Sequence, residues 1–306
     1  MAKDKEAPVH IRKSAGRRLF DVFLYLFMIL ASLSCILPFV NLLAISLSEA
    51  KYVNAGMVTF WPKGLNISSY YFILQNDAFF RSFLIALERT VLGVLINVVL
   101  IVLTAYPLSI RDSNFKSKKA YMIIFVGAML FVPSLVPLYL VVRNLGMLDT
   151  IWSLVLPTAL PVFNMILMMN FFRELPRGLD EAAYLDGAGH WTILWRIYVP
   201  LSKPAVATVT LFCVITHWNT WLDGMLYMNS TSNYPLQSYL QTLVVNSQQL
   251  IRNSAGNANI VNLLKMINND TAKAAQLFVA IIPILLIYPW LQKYFTAGLT
   301  AGGIKA

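Results

Sequence analysis

Residues 19–45 read LFDVFLYLFMILASLSCILPFVNLLAI, a run in which Asp21 is the single charged residue. A helix needs about 20 consecutive apolar residues to cross the hydrocarbon layer of a membrane. The apolar core of a signal peptide is only about 7–15 residues long. Because this run of 27 residues is too long for such a core, it predicts a first, uncleaved membrane-spanning helix.

The rest of the chain repeats this pattern. Further apolar runs cover about residues 83–106, 121–142, 151–172, 204–224 and 275–294. Of the 306 residues, 58% are hydrophobic and 12% are charged, whereas soluble domains carry about 25% charged residues. This composition excludes a soluble globular domain, a disordered chain and a disulfide scaffold. We therefore predict an all-α membrane protein with six transmembrane helices.

The distribution of the 24 Lys and Arg residues predicts the orientation of these helices. Sixteen of them lie in four segments that would share one side of the membrane: residues 1–18, 107–120, 173–203 and 293–306. Only seven lie in the opposite segments, although those segments are longer. Since cations accumulate in cytoplasmic loops, both termini are expected to be cytoplasmic. The net charge of +10 then reflects orientation, and no nucleic-acid partner is expected.

This orientation divides the chain into three parts. Residues 1–18 form a cytoplasmic N-terminal segment, residues 19–294 a transmembrane domain embedded in the lipid bilayer, and residues 295–306 a cytoplasmic tail. The long loops 46–81 and 225–274 would lie outside the cell.

The second external loop is rich in asparagine, and its stretch 234–241, YPLQSYLQ, predicts a turn that opens a helix. Loops of this length are usually either functional or disordered. Two interpretations are therefore open, a solvated surface and a docking surface for an external partner.

The loop 173–203 contains the most informative stretch, PRGLDEAAYLDGAGHWTILWRIYVPLSKP at residues 176–204. Acids at its start complement the dipole of a short helix, and Gly187 permits a turn that a Cβ atom would resist. A second short helix is predicted from about His190 to Tyr198, ending before Pro200. Two short helices at an angle would form a rigid structure that projects into the cytoplasm.

The residue types and spacing of this loop resemble the signature loop of permease subunits of ABC importers. The matching residues are Glu181, Ala182, Ala183, Asp186, Gly187, Ala188, Ile197, Pro200, Leu201 and Pro204. The resemblance implies the type I ABC importer permease fold, with loop 173–203 docking in a cleft of an ATP-binding subunit. It assigns the coupling to Glu181, Ala182, Ala183, Asp186, Gly187, Ala188 and Pro200. Val199 departs from the leucine that usually precedes this proline.

Other segments resemble carbohydrate permeases similar to the smaller membrane subunit of the maltose transporter. They are residues 105–109 (AYPLS), 136–139 (VPLY), 145–150 (LGMLDT), 170–173 (NFFR), 218–219 (WN) and 298–305 (GLTAGGIK). Stretch 234–241 resembles the branch that imports complex oligosaccharides. Met168 and Met169 depart from the usual Leu-Arg pair.

This resemblance implies a permease subunit in a bacterial cell membrane that forms half of a carbohydrate pathway. The implied partners are a homologous second permease, two ATPase subunits and an extracellular solute-binding protein. The chain has no Gly-Lys pair, and hence no phosphate-binding loop for ATP. We expect no enzyme activity and no bound cofactor or metal here, with ATP and Mg²⁺ held by the partner ATPase.

The candidate residues of the substrate path are Asn164, Met168, Trp218, Asn219 and Trp221. Aromatic faces stack on sugar rings, and asparagine amides hydrogen-bond to hydroxyl groups. The alternatives are helix packing for the residues of the fourth run and an interfacial aromatic belt at the end of the fifth.

Three other readings of the sequence compete with a carbohydrate importer. One is an ABC importer permease for a different solute class. A second is an ion-coupled transporter, for which the run-end acids Glu88 and Asp223 would be the candidates. A third is a membrane enzyme, but His10, His190 and His217 lie far apart in the predicted topology.

Overall fold

The computed structural model describes residues 15–74, 76–110, 117–131, 133–176, 178–242 and 269–303. These residues form helices and loops, with one isolated antiparallel bridge between Ser48 and Leu65 and no strand among them. Parts of the predicted segments lie outside the described residues, namely 1–14, 75, 111–116, 132, 177, 243–268 and 304–306.

In chain order, the helices are α1 (Ala15–Ser46), α2 (Ala50–Asn54), α3 (Ser68–Leu74), α4 (Asp77–Ser109), α5 (Lys118–Leu130), α6 (Leu135–Asn144), α7 (Ile151–Val155), α8 (Val162–Glu174), α9 (Gly178–Leu185), α10 (His190–Ile193), α11 (Val199–Leu201), α12 (Lys203–Asn219), α13 (Leu222–Tyr227), α14 (236–242) and α15 (Asn269–Gly303). Short 3₁₀ turns cover Leu156–Thr158 and Thr231–Asn233, and a π-helical turn covers Leu194–Tyr198. The turn and helix predicted for stretch 234–241 are confirmed by α14.

Three of these helices, α1, α4 and α15, are long and apolar enough to cross a membrane unbroken within the described residues. Three further pairs pass the same test when each is taken as one bent span. They are α5 with α6, α7 with α8, and the segment His190–Leu201 with α12, bent by 114°, 49° and 83°. The described residues therefore hold up to six candidate spans.

Three of the six predicted runs differ from a single continuous helix, and prolines account for the breaks in two of them. The run 121–142 is interrupted between Leu130 and Leu135, where Pro133 lacks a backbone donor. The run 151–172 is interrupted before Val162, which follows Pro161. By contrast, Pro283 and Pro289 stay inside α15, as membrane bundles allow.

The fifth predicted run, 204–224, also differs from one helix. Helix α12 ends at Asn219, and α13 begins only at Leu222. No proline lies at this break, so its cause must be sought in contacts with other elements.

The largest buried cluster lies where α4, α8 and α12 meet the segment 190–201. Its fully buried members include Ile101, Ala105, Met165, Met168, Ile193 and Val209. Small residues let the helix backbones approach closely, which is how helices associate where lipid removes most of the hydrophobic driving force. Gly93 is such a case, because an added Cβ would lie 2.4 Å from Nε2 of His217 on α12.

Helix α1 stands apart from this cluster and packs mainly along α15. None of its most apolar 18-residue window is buried within the chain. Its large apolar side chains are correspondingly exposed, for example Leu19, Phe23 and Tyr25. This face must meet lipid or another apolar surface.

Candidate coupling loop and substrate path

Side-chain hydrogen bonds join the two short helices of loop 173–203. The hydroxyl of Tyr198, in the π-helical turn, donates to Oδ2 of Asp180 in the first turn of α9 at 2.6 Å. Burial raises the pKa of Tyr198 above its ordinary value, and the bond to Asp180 raises it further. The phenol is therefore protonated at physiological pH and remains a donor.

Helix α9 ends in the turn that Gly187 was predicted to allow. The amide of Gly187 donates to the carbonyl of Tyr184 at 3.0 Å, and the amide of Ala188 to that of Ala183 at 2.9 Å. Gly187 has φ +79°, in the left-handed region. This pair of bonds around a left-handed glycine is a Schellman motif, and the prediction of a turn at Gly187 is confirmed.

The second short helix is longer than predicted, and its predicted end before Pro200 is wrong. The chain continues from α10 through the π-helical turn into α11, which contains Pro200 and ends at Leu201. Proline is tolerated there because it occupies the first turn of α11. The sharp bend follows at Ser202, where α12 departs at 83°.

Aromatic contacts fix the loop to the membrane helices. The Tyr198 ring meets Tyr106 of α4 and Phe172 of α8 edge to face, with centroids 5.0 and 5.3 Å apart. Nδ1 of His190 lies 3.1 Å from the hydroxyl of Tyr106 and 3.0 Å from that of Tyr184. Such interlocked contacts transmit force, because a close-packed interface cannot deform gradually.

Of the predicted coupling residues, most lie on the outside of the loop. Glu181, Ala182, Asp186, Gly187 and Pro200 are exposed, and Ala188 is half-buried. Ala183 is instead buried in the cluster around α4 and α8, so its small side chain serves packing within this chain.

The apex of the loop carries a residue that sequence reasoning missed. Leu185 is 90% exposed, next to Asp186 and Gly187. The signal available in the sequence was a leucine directly before the Asp-Gly pair.

Two of the predicted cytoplasmic cations donate hydrogen bonds to backbone carbonyls at the carboxyl end of α4. Arg173 donates to the carbonyl of Leu108 at 3.1 Å, and Nζ of Lys118 donates to that of Ile110 at 2.6 Å. Cations are favoured at the carboxyl end of a helix, where the dipole is negative and carbonyls lack intrahelical partners. These contacts tie the helices α4, α5 and α8 together beside the loop.

The five candidate path residues divide into two groups. Asn164, Met168 and Trp218 are buried within the chain. Nε1 of Trp218 donates to the carbonyl of Ala280 on α15 at 3.0 Å, so its indole joins two helices. Asn219 and Trp221, by contrast, are exposed.

The candidate acid Asp223 lies against Arg89, a contact that the sequence did not predict. Arg89 of α4 is 2% exposed and binds both carboxylate oxygens of Asp223, through Nη2 to Oδ2 and through Nη1 to Oδ1 at 3.2 Å. Nη1 also donates to the carbonyl of Thr220 at 3.0 Å. Asp223 is therefore engaged in an internal ion pair, unlike the acid that an ion-coupled transporter requires.

No group of three or more His, Cys, Asp or Glu side chains lies close enough to hold a metal ion among the described residues. His190 belongs to the coupling loop and His217 to the interior of α12. His217 lies beside Asn97 of α4, with Nε2 3.1 Å from the amide.

The comparison with protein families agrees with this arrangement of membrane helices and a loop of two short helices. Residues 97–301 match the model of the binding-protein-dependent transport system inner membrane component. The chain belongs to this family. The resemblance to permease subunits of ABC importers, drawn from loop 173–203, is confirmed.

Individual permeases agree with this family over nearly the whole chain. The polygalacturonan/rhamnogalacturonan transport system permease protein YtcP of Bacillus subtilis is 35% identical, over 94% of this chain and 99% of its own length. A permease chain in the crystal structure of a bacterial ABC transporter involved in the import of the acidic polysaccharide alginate matches with a TM-score of 0.82. It is 30% identical, over 93% of this chain and 99% of its own length.

A second solved structure shares the fold. It is a chain of the bacterial alginate ABC transporter in complex with alginate pentasaccharide-bound periplasmic protein, 16% identical with a TM-score of 0.54. It covers 92% of this permease and 99% of its own length. The predicted carbohydrate importer function is confirmed by these comparisons, and the non-ABC readings are superseded.

Proposed function

We propose that this permease forms half of the translocation pathway of an ATP-driven importer of acidic oligosaccharides in a bacterial cell membrane. The observation that carries the substrate class is the chemistry named for two relatives at 30% identity or more. One is a polygalacturonan/rhamnogalacturonan permease, and the other belongs to an importer of the acidic polysaccharide alginate. These polysaccharides all contain sugar units that bear carboxylates.

The proposed topology has six transmembrane spans and both termini in the cytoplasm. It is supported by the six candidate spans, counting each bent pair once, and by the sixteen cations on the proposed cytoplasmic side. In the pair of His190–Leu201 with α12, the proposed topology places α12 in the membrane and His190–Leu201 in the cytoplasmic loop. Residues 1–18 and 295–306 then lie in the cytoplasm, and loops 46–81 and 225–274 outside.

A homologous second permease would supply the other half of the pathway. The exposed apolar length of α1 offers a surface that such a partner, together with lipid, would cover. An extracellular solute-binding protein would deliver the sugar to loops 46–81 and 225–274.

Two ATPase subunits would bind ATP and Mg²⁺ and contact the coupling loop. We place the contact on the exposed edge formed by Glu181, Ala182, Asp186 and Gly187, with Pro200 behind it and Leu185 at the tip. Closure of the ATPases would push this edge, and the aromatic contacts of Tyr198 would carry the movement into α4 and α8. The bundle would rock between inward-facing and outward-facing states that bind the partners differently.

Of the five candidate residues of the substrate path, we retain Asn219 and Trp221. Asn164, Met168 and Trp218 are buried against other helices of the same chain and would contribute packing. The exposed indole of Trp221 offers a face on which a sugar ring can stack, and the exposed amide of Asn219 can hydrogen-bond to its hydroxyl groups.

Uptake measurements on a strain that lacks this permease test the substrate class. The deletion strain should lose uptake of galacturonan oligosaccharides, and the plasmid-borne wild-type gene should restore it. Uptake of a neutral oligosaccharide that requires this gene, without uptake of acidic ones, would contradict the acidic class. Copurification of an ATPase with the tagged permease tests the partner assignment in the same strain.

A further inference from the structure

The backbone carbonyls in the break between α12 and α13 have side-chain hydrogen-bond partners, which a fraying helix end would lack. We propose that residues 219–222 form a preorganised sugar-contacting element that Arg89, Asp223 and Ser238 hold in place. Asn219 and Trp221 are its contact residues. This inference rests on the proposed carbohydrate import and assigns positioning residues that the family resemblance did not supply.

The carbonyls of Thr220 and Trp221 lie in the break after α12, and each accepts a hydrogen bond from a buried side chain of another element. Arg89 of α4 donates to the carbonyl of Thr220 at 3.0 Å, and Oγ of Ser238 on α14 donates to that of Trp221 at 2.6 Å. Thr220 has an extended backbone, with φ −70° and ψ 129°. A helix end in a membrane needs such partners, since lipid offers none.

The anchoring residues are also fixed. Asp223 neutralises Arg89 through two contacts, and its Oδ1 accepts a hydrogen bond from the amide of Gly224 at 2.8 Å. Gly224 lets α14 approach, because an added Cβ would lie only 2.2 Å from Oγ of Ser238. The break is therefore one defined conformation.

The break lies near one end of the predicted fifth span. At 1.5 Å per residue, the 17 residues of α12 rise about 26 Å, less than the hydrocarbon thickness of about 30 Å. Irregular backbone at this depth is tolerated where it is buried in protein or lines an aqueous cavity. Arg89 and Ser238 cover the two carbonyls, whereas the side chains of Asn219 and Trp221 are exposed on the surface of the chain. We place these two side chains on the aqueous path.

The charge of the element indicates which part of the sugar it contacts. Arg89 is the cation nearest the break, but it is 2% exposed and its charge is already paired with Asp223. The element therefore offers an aromatic face and an amide, which suit the ring face and the hydroxyl groups. The carboxylates of an acidic sugar would be bound elsewhere.

Cysteine protection in the complete transporter tests the contact. The complex with its second permease, ATPases and binding protein is reconstituted in proteoliposomes, with Cys35→Ser to remove the exposed native thiol. Asn219→Cys should react with a membrane-impermeant maleimide from the external solution, and a galacturonan trisaccharide should slow the reaction at least fivefold. Trp61→Cys, on an 82% exposed external-loop residue, should react equally fast with and without sugar. Failure of Asn219→Cys to react would indicate a lipid-facing residue, and an unchanged rate with sugar would equally overturn the proposal.

A serine pair tests the positioning role. In the Asn219→Cys variant, Ser238→Ala should raise the sugar concentration that gives half-maximal protection from the maleimide about fivefold. This is the effect of losing one net hydrogen bond. The matched control is Ser153→Ala, since Ser153 is also buried and donates to a carbonyl, that of Thr150, at 2.8 Å. It should leave the half-maximal concentration within about twofold. Equal effects of the two variants would contradict positioning by Ser238.

The wild-type proteoliposomes separate this inference from the proposed function. Absence of galacturonan uptake by the wild-type complex would contradict the acidic substrate class. Normal uptake by the wild-type complex, together with an Asn219→Cys variant that sugar does not protect from the maleimide, would contradict only the assignment of the break.

Discussion

Tyr198 and Asp180 stand on different short helices of the coupling loop and are joined by a hydrogen bond of 2.6 Å. The same tyrosine ring packs against Tyr106 and Phe172 in the membrane helices. One side chain thus connects the part that a partner would push to the part that would move.

Tyr198→Phe should therefore weaken coupling more than folding. The ring contacts remain, but the link to Asp180, of about 1 kcal/mol, is lost. We expect sugar uptake per ATP hydrolysed to fall severalfold in proteoliposomes, with normal recovery of the assembled complex. Tyr25→Phe, on an exposed residue of α1, should change neither quantity. Full coupling in Tyr198→Phe would show that the link is dispensable.

Gly187→Ala should destabilise the coupling loop, whereas Gly178→Ala should not. Both positions have open space for a Cβ, but only Gly187 has a positive φ. The strain in the left-handed region costs about 1–2 kcal/mol. Proteolysis of the loop should become faster in Gly187→Ala, and Gly187→Asp should abolish coupled uptake while membrane insertion survives. Equal proteolysis rates in the two alanine variants would refute the role of φ.

Trp218→Ala and Trp221→Ala should have different consequences, although the residues are three apart. Trp218 is 3% exposed and bonded to Ala280, so its removal should cost about 3 kcal/mol or more and reduce the amount of folded protein. Trp221 is 40% exposed, so its removal should reduce sugar uptake at normal protein level. Quantified immunoblots beside uptake assays distinguish the two outcomes. A loss of protein in both variants would argue for packing alone.

Arg89 and Asp223 should be strongly coupled in a double-mutant cycle. Removing one partner leaves the other charge buried, a loss of about 3–5 kcal/mol. Arg89→Gln and Asp223→Asn should each lower the thermal stability of the detergent-solubilised complex, and the double variant should be more stable than Arg89→Gln alone. Additive losses would mean that the two side chains do not interact.

The orientation can be measured with reporter fusions. A fluorescent protein fused after Ala306 should fold and fluoresce, as it does in the cytoplasm. Alkaline phosphatase fused within loop 46–81 should be active, because it requires the external side. The opposite pattern would invert the topology derived from the cations.

Features that depend on neighbours along the chain were predictable. The six apolar runs follow from local composition, and the turn at Gly187 follows from the freedom of glycine at positive φ. The extent of the second short helix was not predictable from the sequence. Its π-helical turn before Pro200 contains Tyr198, which contacts α4 and α8. The end of α12 at Asn219 has the same origin, because Arg89 and Ser238 come from distant positions.

The sequence by itself determined that this chain belongs among membrane proteins, which family it resembles and which loop we propose as the contact with the ATPase. Those properties depend on the free energy of apolar segments in lipid and on contiguous residue patterns. Only the tertiary structure decided that Trp218 is buried while Trp221 is exposed, and that Arg89 is paired with Asp223. These outcomes depend on which surfaces helix packing brings together, and residues 134 positions apart carry no local signal of their contact.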